Sequence, residues 1–174
     1  PALKKDHPQL YIDLSAIAKG YAVDKVAEYL ETNDIENYLV EVGGEIRARG
    51  RNVSRQKWRI GVSSPDERSA IQNVINVADV GIATSGDYRN YFEVDGVRYS
   101  HTIDPRTGRP ITHNLASVTV VHESCMLADA YATAIDVLGA ENGYQLAVDQ
   151  NLAVYLLIKE NNEIVDRMTE YFKP

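Results

Sequence analysis

The sequence predicts an α+β fold in which a mainly antiparallel sheet packs with helices. Strand-like runs that alternate or are continuously apolar are mixed with segments of helical period, without the regular strand–helix–strand repeat of a parallel sheet. Asp95-Gly96 lies between two β-rich runs, 91–94 and 97–100, and Asp-Gly favours the tight turn of a β-hairpin. A chain of 174 residues with 44% hydrophobic and 25% charged residues has the composition of one globular domain.

Composition excludes several classes of protein. The net charge is −7 and the basic residues are dispersed, whereas a nucleic-acid surface needs a concentrated basic face. No apolar run approaches the roughly 20 residues of a membrane-spanning helix. Cys125 is the single cysteine, which excludes an internal disulfide and a cysteine-based zinc site. The chain begins with Pro-Ala-Leu rather than Met, and we expect it to be a processed or truncated product.

The first quarter predicts a strand, a helix and two further strands. Tyr11–Leu14 is typical of a short strand, and Ser15 can cap a helix of about four turns. The apolar positions of this helix recur every fourth residue, at Ala18, Ala22, Val26 and Leu30, with Val23 and Ala27 beside them. Strands are predicted at 38–42 and 45–50. The glycine pair between them indicates a bulge or a close approach of the backbone to another group.

Alternation continues at Trp58–Val62 and in a β-rich run from Asn73 to Val80, with a turn predicted at Gly81. The stretch Ala83–Pro110 then concentrates polar and turn residues around the predicted hairpin. Turn-rich segments at 84–87 and 104–108 flank it, and the hairpin should return His101 towards the first of them. Hydroxyls, an imidazole and guanidiniums would then meet, as a phosphate-containing ligand requires.

The last third predicts a strand, two helices and a terminal hairpin. Leu115–Val121 alternates, and Ser124 can cap a helix over 125–138 that Gly139 closes. A shorter helix is predicted over 141–149. The nearly continuous apolar run 152–159 predicts a buried strand that turns back through 160–163 to Ile164-Val165.

One face of the longer helix offers a candidate cation site. Asp129 and Thr133 are four residues apart, so their side chains lie one turn from each other. A carboxylate and a hydroxyl suit Mg²⁺, which prefers oxygen ligands and takes some of them from substrate phosphates. The alternative is that Thr133 bonds back to its own helix while Asp129 is exposed. Asp136 is predicted to face solvent.

Three other side chains allow two interpretations each. Lys19 is either a solvated surface lysine or, near a helix N-terminus, a phosphate ligand. His101 is either a structural hydrogen-bonding group or a catalyst. Cys125 is either a reactive thiol at a helix start or a small buried side chain.

Four segments occur in a fixed order: IDLSAIAKGYAVD, YLVEVGGEIRARG, IATSGDYRNYFEVDGVRYSHTIDPRTGRP and ADAYATA. Together they resemble the FAD:protein FMN transferases, the ApbE-type flavin transferases. The resemblance runs through essentially all of this chain, over 1–174, but covers only the C-terminal half to two-thirds of a family member. It implies a single catalytic domain with an ApbE-like, T-fold-related architecture.

The resemblance also implies a reaction and a set of site residues. Family members bind FAD and Mg²⁺ and attach FMN to a protein threonine, releasing AMP. Matching positions imply that Asp129, Thr133 and the carbonyl of Ala16 ligate the metal. FAD contacts are implied for Asp13, Lys19 and the backbone of Ile103. His101 is implied to lie near the pyrophosphate, and it is our candidate for the base that deprotonates the threonine.

The acceptors in the family are subunits of membrane redox complexes such as Na⁺-pumping NADH:quinone oxidoreductase and Rnf-type systems. Family members are usually periplasmic and lipid-anchored, although the anchor is not in this sequence. Because the family's N-terminal portion is absent, we expect one side of the flavin site to be open and exposed apolar edges to be covered by a second copy, as a homodimer.

Two other functions use the same residues. One is an FAD pyrophosphatase, in which water replaces the threonine and FMN and AMP are released. The other is a flavin-binding module without turnover. The sequence does not rank them, since acceptor recognition leaves no readable motif.

Overall fold

A computed structural model describes residues 3–65, 71–86, 91–94, 97–161 and 163–173 of the chain. It confirms the α+β class, with an antiparallel sheet and, in the described residues, two helices. The helices are α1 (Ser15–Thr32) and α2 (Cys125–Asp149). The strands are β1 (Tyr38–Val42), β2 (Glu45–Arg49), β3 (Trp58–Ser63), β4 (Ile71–Val77), β5 (Val80–Gly86), β6 (Tyr91–Val94), β7 (Val97–Ser100), β8 (Ile103–Asp104), β9 (Arg109–Pro110), β10 (Leu115–His122), β11 (Ala153–Glu160) and β12 (Glu163–Met168). Neither helix is long and apolar enough to cross a membrane.

The central sheet has six strands in the order β1-β2-β5-β10-β11-β12, and every neighbouring pair is antiparallel. The pairs β3–β4, β6–β7 and β8–β9 form separate two-stranded sheets. The prediction of a mainly antiparallel sheet is therefore confirmed. The terminal hairpin that begins near residue 152 is confirmed as β11 and β12.

Successive side chains of the central strands point to opposite faces and build two cores. On one face, Ala83 and Val118 pack with Ala132 of α2. On the other face, Ile82 and Leu157 join the core that includes the β3–β4 pair. The sheet is thus covered by the helices on one side and by the β3–β4 hairpin on the other.

The predicted strand pair at 38–50 is a hairpin. Val42 pairs with Glu45, so Gly43 and Gly44 form a two-residue turn, where their φ angles are +61° and +100°. Such left-handed angles favour glycine. The glycine pair is therefore a hairpin turn rather than the bulge that was one of the two predicted alternatives.

The predicted hairpin at 91–100 is confirmed by antiparallel pairing from Tyr91↔Ser100 to Val94↔Val97. The Asp95-Gly96 turn itself lies outside the described residues, as does Asp87. The turn predicted at 84–87 is wrong for its described part, because Thr84–Gly86 completes β5 and pairs with β10. The turn at 104–108 is confirmed between β8 and β9.

The start of α1 differs from the prediction in two ways. Tyr11–Leu14 is not a strand: no described strand lies beside it, and Tyr11 and Leu14 are 83% and 59% exposed. Ser15 is the first helical residue rather than the cap, and Oδ1 of Asp13 accepts its backbone N–H at 2.7 Å. The N-cap residue is Leu14, which offers no side-chain cap, and the Asp13 side chain satisfies one N–H of the helix start instead.

The predicted apolar face of α1 is confirmed in part. Val23 and Ala27 are buried as predicted, whereas Val26 is 43% exposed. The other buried residues of the helix are Gly20 and Asp24, which apolar periodicity does not indicate. The helix packs against α2, β1 and β2.

Two glycines allow the start of α2 to approach its neighbours closely. A Cβ on Gly81 would lie 2.5 Å from the backbone nitrogen of Cys125, and one on Gly20 would lie 2.4 Å from the Cys125 carbonyl oxygen. The turn predicted at Gly81 is wrong, since this glycine lies inside β5. The break instead precedes Val80, where Asp79 has a φ of +57°.

The predicted boundaries of the second helical region are confirmed. Ser124 caps α2, its Oγ accepting the N–H of Leu127 at 3.3 Å. Gly139 interrupts α2 with φ +78° and ψ 179°, which separates the two helical segments that the sequence predicts.

Asp24 of α1 joins the two helices at the N-terminus of α2. Its Oδ1 accepts the N–H of Cys125 at 3.0 Å, and its Oδ2 accepts the N–H of Met126 at 3.0 Å and the hydroxyl of Ser124 at 2.7 Å. Arg47 of β2 adds an ion pair at 2.8 Å. Burial opposes the charge of Asp24, but these hydrogen bonds outweigh it and lower the pKa of the carboxyl.

Three ion pairs connect α1 to the polar face of β2. Lys19, Asp24 and Glu31 of the helix pair with the alternate residues Glu45, Arg47 and Arg49 of the strand, at 2.6, 2.8 and 3.1 Å. Because alternate residues of a strand share one face, the register of β2 sets where α1 lies along it.

We predict that Gly81→Ala and Gly20→Ala each lower the free energy of unfolding by about 2–4 kcal/mol, because the new Cβ meets backbone that cannot move independently. Urea denaturation of this chain checks the values. Gly61→Ala in β3 is the matched control, since its Cβ would first meet the movable Ile71 Cδ1, at 3.2 Å. Equal losses at all three positions would contradict the close-approach argument.

We predict that Asp24→Asn lowers the free energy of unfolding at pH 7 by about 2–4 kcal/mol, because charge-assisted bonds to one partly buried carboxylate are lost. Since the folded pKa of Asp24 is lowered, its contribution is present above the unfolded value of about 3.9 and is lost as the pH falls through the folded pKa. Urea denaturation at pH 7, 5 and 3 should show the difference from the unmodified chain shrinking at the lowest pH. Asp34→Asn, at an exposed position, is the control and should change the free energy of unfolding little. A loss of stability in Asp24→Asn that does not depend on pH would contradict the role given to the Asp24 charge.

Candidate functional site

The two helices run antiparallel where they cross, and their contacts follow one register. Asp24 meets the backbone of Cys125; one turn earlier in α1, the N–H of Gly20 donates to Oδ2 of Asp129, one turn later in α2, at 2.9 Å. In a regular helix the N–H of Gly20 would bond the carbonyl of Ala16. The carboxylate of Asp129 therefore lies beside the turn of α1 that contains Ala16.

Asp129 is a buried carboxylate, 2% exposed. Burial raises the pKa of Asp129, while the Gly20 N–H and the charge of Lys19 act in the opposite direction. The alternative in which Asp129 is exposed is therefore wrong. Among the described residues, the hydrogen bonds of this carboxylate go to Oδ2, which leaves Oδ1 as the oxygen for another ligand.

Lys19 is neither a fully solvated lysine nor a buried one. Its Nζ lies 2.6 Å from Oε1 of Glu45, and the two side chains are 47% and 1% exposed. Its stem passes the β1–β2 turn, where a Cβ on Gly43 would come within 3.2 Å of Lys19 Cδ. Burial raises the pKa of Glu45, the Lys19 charge lowers it, and the charge of Asp129 raises it further. Lys19 is thus the shared counter-charge of two buried carboxylates.

One face of α2 contacts three separate segments of the chain. The side chains of Asp129, Thr133 and Asp136 recur at the spacing of a single helix face. Their respective partners are Gly20 of α1, Ser85 of β5 and Thr102 after β7, at 2.9, 3.4 and 3.1 Å. The predicted shared face of Asp129 and Thr133 is therefore the face that gathers these segments.

The prediction that Asp136 faces solvent is wrong, because this residue is only 1% exposed. Its Oδ2 accepts the hydroxyl of Thr102, and its backbone carbonyl lies 2.6 Å from Nε2 of His113. A carboxylate on a helix is usually exposed, and only the chain segment packed over α2 reverses this.

The remaining predicted site residues lie at the ends of this face. His101 and Ile103 flank Thr102 and are exposed, Ile103 by 47%. Their segment is tied to Asp136, which lies about 10 Å along α2 from Asp129 at the helical rise per residue. Asp13 is exposed at the start of α1, where its bonds to the hydroxyl and N–H of Ser15 lower its pKa.

A pocket of about 460 Å³ opens on the face of the central sheet that carries the β3–β4 hairpin. Two cations line it, Lys19 and Arg59, together with the backbone of Gly43 and Gly44. The hydroxyls of Thr84 and Thr119, a cross-strand pair 2.8 Å apart, also line it. The pocket combines positive charge, exposed backbone and hydroxyl groups, which suits an anionic ligand with a polar body.

Within the described residues no group of three or more His, Cys, Asp or Glu side chains could hold a metal ion. A cation at Asp129 would therefore depend on hydroxyl, carbonyl or ligand oxygens as well. Cys125 is fully buried, and burial raises the pKa of its thiol to about 12, so the reactive-thiol interpretation is wrong.

Sequence reasoning missed Glu45 and Arg59 as site residues. Both stand in alternating strands, where polar residues are expected to face solvent. The one available signal for Glu45 was its place directly after a glycine pair, which brings the start of β2 to the turn beneath Lys19.

Comparison with known proteins shows the family to which this chain is similar. A model of the ApbE family matches residues 2–156. Relatives named FAD:protein FMN transferase include those of Vibrio cholerae, 52% identical over 99% of this chain, and Escherichia coli K12, 46% identical over 98%. These alignments cover 52% and 49% of the relatives, so the chain spans about half the length of the curated relatives it matches.

Solved structures agree in fold. The flavin transferase ApbE from Vibrio cholerae superposes with a TM-score of 0.88 at 47% identity, covering 97% of this chain and 53% of that one. The apo form of the Pseudomonas stutzeri flavinyl transferase ApbE gives 0.82 at 44% identity, covering 92% and 50%. Because the family model matches residues 2–156 and the fold agrees with these solved structures, the chain belongs to the ApbE family.

Proposed function

We propose that this chain carries the metal- and phosphate-contacting part of an FAD:protein FMN transferase, which moves FMN from FAD to a threonine of an acceptor protein and releases AMP. The observation that carries the proposal is the meeting of the buried Asp129 carboxylate, the Lys19 ammonium and the start of α1. This arrangement is supported by relatives that are named for the same transfer and are about half identical to the chain.

The reaction needs positive charge near the pyrophosphate, to neutralise the negative charge of its phosphates. The threonine oxygen bonds to the phosphorus of the FMN moiety, the pyrophosphate P–O bond breaks, and AMP leaves with the bridging oxygen. Lys19, half exposed at the pocket, would contact the phosphates, and Arg59 adds a second positive charge to the pocket lining. The hydroxyl proton of the threonine passes to a base on the protein.

The donor atoms near Asp129 fit Mg²⁺. Asp129 supplies a carboxylate, Thr133 a hydroxyl and Ala16 a backbone carbonyl, all of them hard oxygen ligands. The antiparallel register that pairs Asp24 with Cys125 and Gly20 with Asp129 would, one turn further along each helix, bring Ala16 opposite Thr133. When bound, Mg²⁺ would supply charge neutralisation at the pyrophosphate.

FAD would be held by groups at both ends of the α2 face. Lys19 would contact the phosphates, and Asp13 at the start of α1 and the backbone of Ile103 would contact the rest of the dinucleotide. His101, beside Ile103, would take the proton of the threonine. The tie between Thr102 and Asp136 supports these roles, because it fixes both neighbours of Thr102 against α2.

Subunits of membrane redox complexes, such as Na⁺-pumping NADH:quinone oxidoreductase or Rnf-type systems, are the acceptors we propose. The site of action would be periplasmic, with a lipid anchor in the longer protein. A second copy of the chain would cover the exposed apolar edges. These proposals rest on the family to which the chain belongs and on its half-length match to the relatives.

We predict that the chain, incubated with FAD, Mg²⁺ and a candidate acceptor, places an FMN adduct on an acceptor threonine, detected by mass spectrometry. Asp129→Ala should reduce transfer by about 10²-fold or more, because a metal ligand is lost. Asp149→Ala, at an exposed position of the same helix, is the control. Free FMN without an adduct would indicate a pyrophosphatase, and FAD binding without AMP release a flavin-binding module. Full activity of a folded Asp129→Ala would contradict the metal site.

We predict that His101→Gln lowers the rate of transfer by about 10²-fold, the usual effect of losing a general base, while the dissociation constant for FAD stays within a few fold. Single-turnover transfer and FAD titration measure the two quantities. His7→Gln, at an exposed position outside the α2 face, is the matched control. A loss of FAD affinity as large as the loss of rate would make His101 a binding residue instead.

A further inference from the structure

Glu45 is a buried carboxylate whose position has a high energetic cost. It is 1% exposed, and its Oε2 has no hydrogen-bond partner among the described residues, while Oε1 accepts a hydrogen bond from Lys19. Leaving a buried charged oxygen unsatisfied disfavours folding. A glutamine or an apolar side chain would avoid that cost, so the structure gives no stability reason for a charge at this place.

Glu45 instead holds the ammonium group of Lys19. Among the described residues, Glu45 is the acceptor found for the Lys19 ammonium. A lysine side chain has many rotamers, and an unpaired one would leave its charge spread over the surface. The stem passes Gly43, where a Cβ would come within 3.2 Å of Lys19 Cδ. Held by the Glu45 carboxylate, the ammonium stays at the lining of the pocket with two N–H donors still available.

From this arrangement we infer that Glu45 is a positioning residue: it anchors the Lys19 ammonium so that its free N–H groups meet the phosphates of the flavin dinucleotide. The inference rests on the proposed function for the identity of the ligand. Its first claim, that Glu45 immobilises Lys19, does not depend on any ligand and can be tested without one.

A double-mutant cycle tests whether Glu45 acts through Lys19. We expect Glu45→Gln to weaken FAD binding by about tenfold in the unmodified chain and by less than about twofold when Lys19→Met is already present. Lys25→Met and Glu28→Gln are matched controls, since this pair lies on the same helix, is exposed and is 2.5 Å apart. The readout is the FAD dissociation constant from flavin fluorescence, with Mg²⁺ present.

Acetylation of lysines by acetic anhydride, followed by mass spectrometry, tests the anchoring itself. Glu45→Gln should raise the acetylation rate of Lys19 by about fivefold while leaving Lys25 unchanged, because one charge-assisted bond is lost at a single amine. Thermal melting checks that the variants fold. If Glu45→Gln does not fold, Glu45→Met, whose side chain has a similar volume, is the second variant.

The outcomes separate this inference from the proposed function. An equal weakening of FAD binding in both Lys19 backgrounds, or an unchanged Lys19 acetylation rate, would overturn the role of Glu45. An unmodified chain that binds no FAD would contradict the proposed function, and the acetylation result would still decide whether Glu45 holds Lys19.

Discussion

The contact between Asp24 and the first residues of α2 is the interaction on which the arrangement of the site depends. One carboxylate satisfies two backbone N–H groups and the Ser124 hydroxyl, which a helix start would otherwise have to satisfy elsewhere. This contact fixes α1 against α2 at one point. The residues one turn away on each helix are therefore fixed too, and Gly20 meets Asp129. The glycines on either side of Cys125 make this close crossing sterically possible.

Charge, rather than apolar surface, sets the register between α1 and the sheet. The polar face of β2 carries Glu45, Arg47 and Arg49, and each finds an opposite charge on the helix. Pairs of this kind add little net stability, but a shifted helix would leave buried charges without partners. The same face that orients α1 therefore also delivers Lys19 to the pocket.

Elements whose signals are local could be predicted from the sequence. The cap at Ser124, the break at Gly139 and the Asp-Gly hairpin follow from backbone preferences of single residues, and the structure has all three elements. Gly81, Asp136 and part of the inner face of α1 were misplaced because tertiary contacts decide them. Gly81 resembles a turn residue until Cys125 is packed on it, and Asp136 resembles a surface carboxylate until Thr102 covers it. Within the site, helical spacing predicted that Asp129 and Thr133 share a face, whereas the one local signal for Glu45 is the glycine pair before it.

The position of His101 and Ile103 in the chain has a consequence for how this protein can change over evolutionary time. Strands β5 and β10 are neighbours in the sheet, so the chain between Gly86 and Leu115 starts and ends at adjacent strands. Lengthening such a connection adds little to the entropy of closing it, because that cost grows only slowly with length. Insertions between these two strands can therefore be accommodated while the pairing of β5 with β10 and the crossing of α1 and α2 are kept.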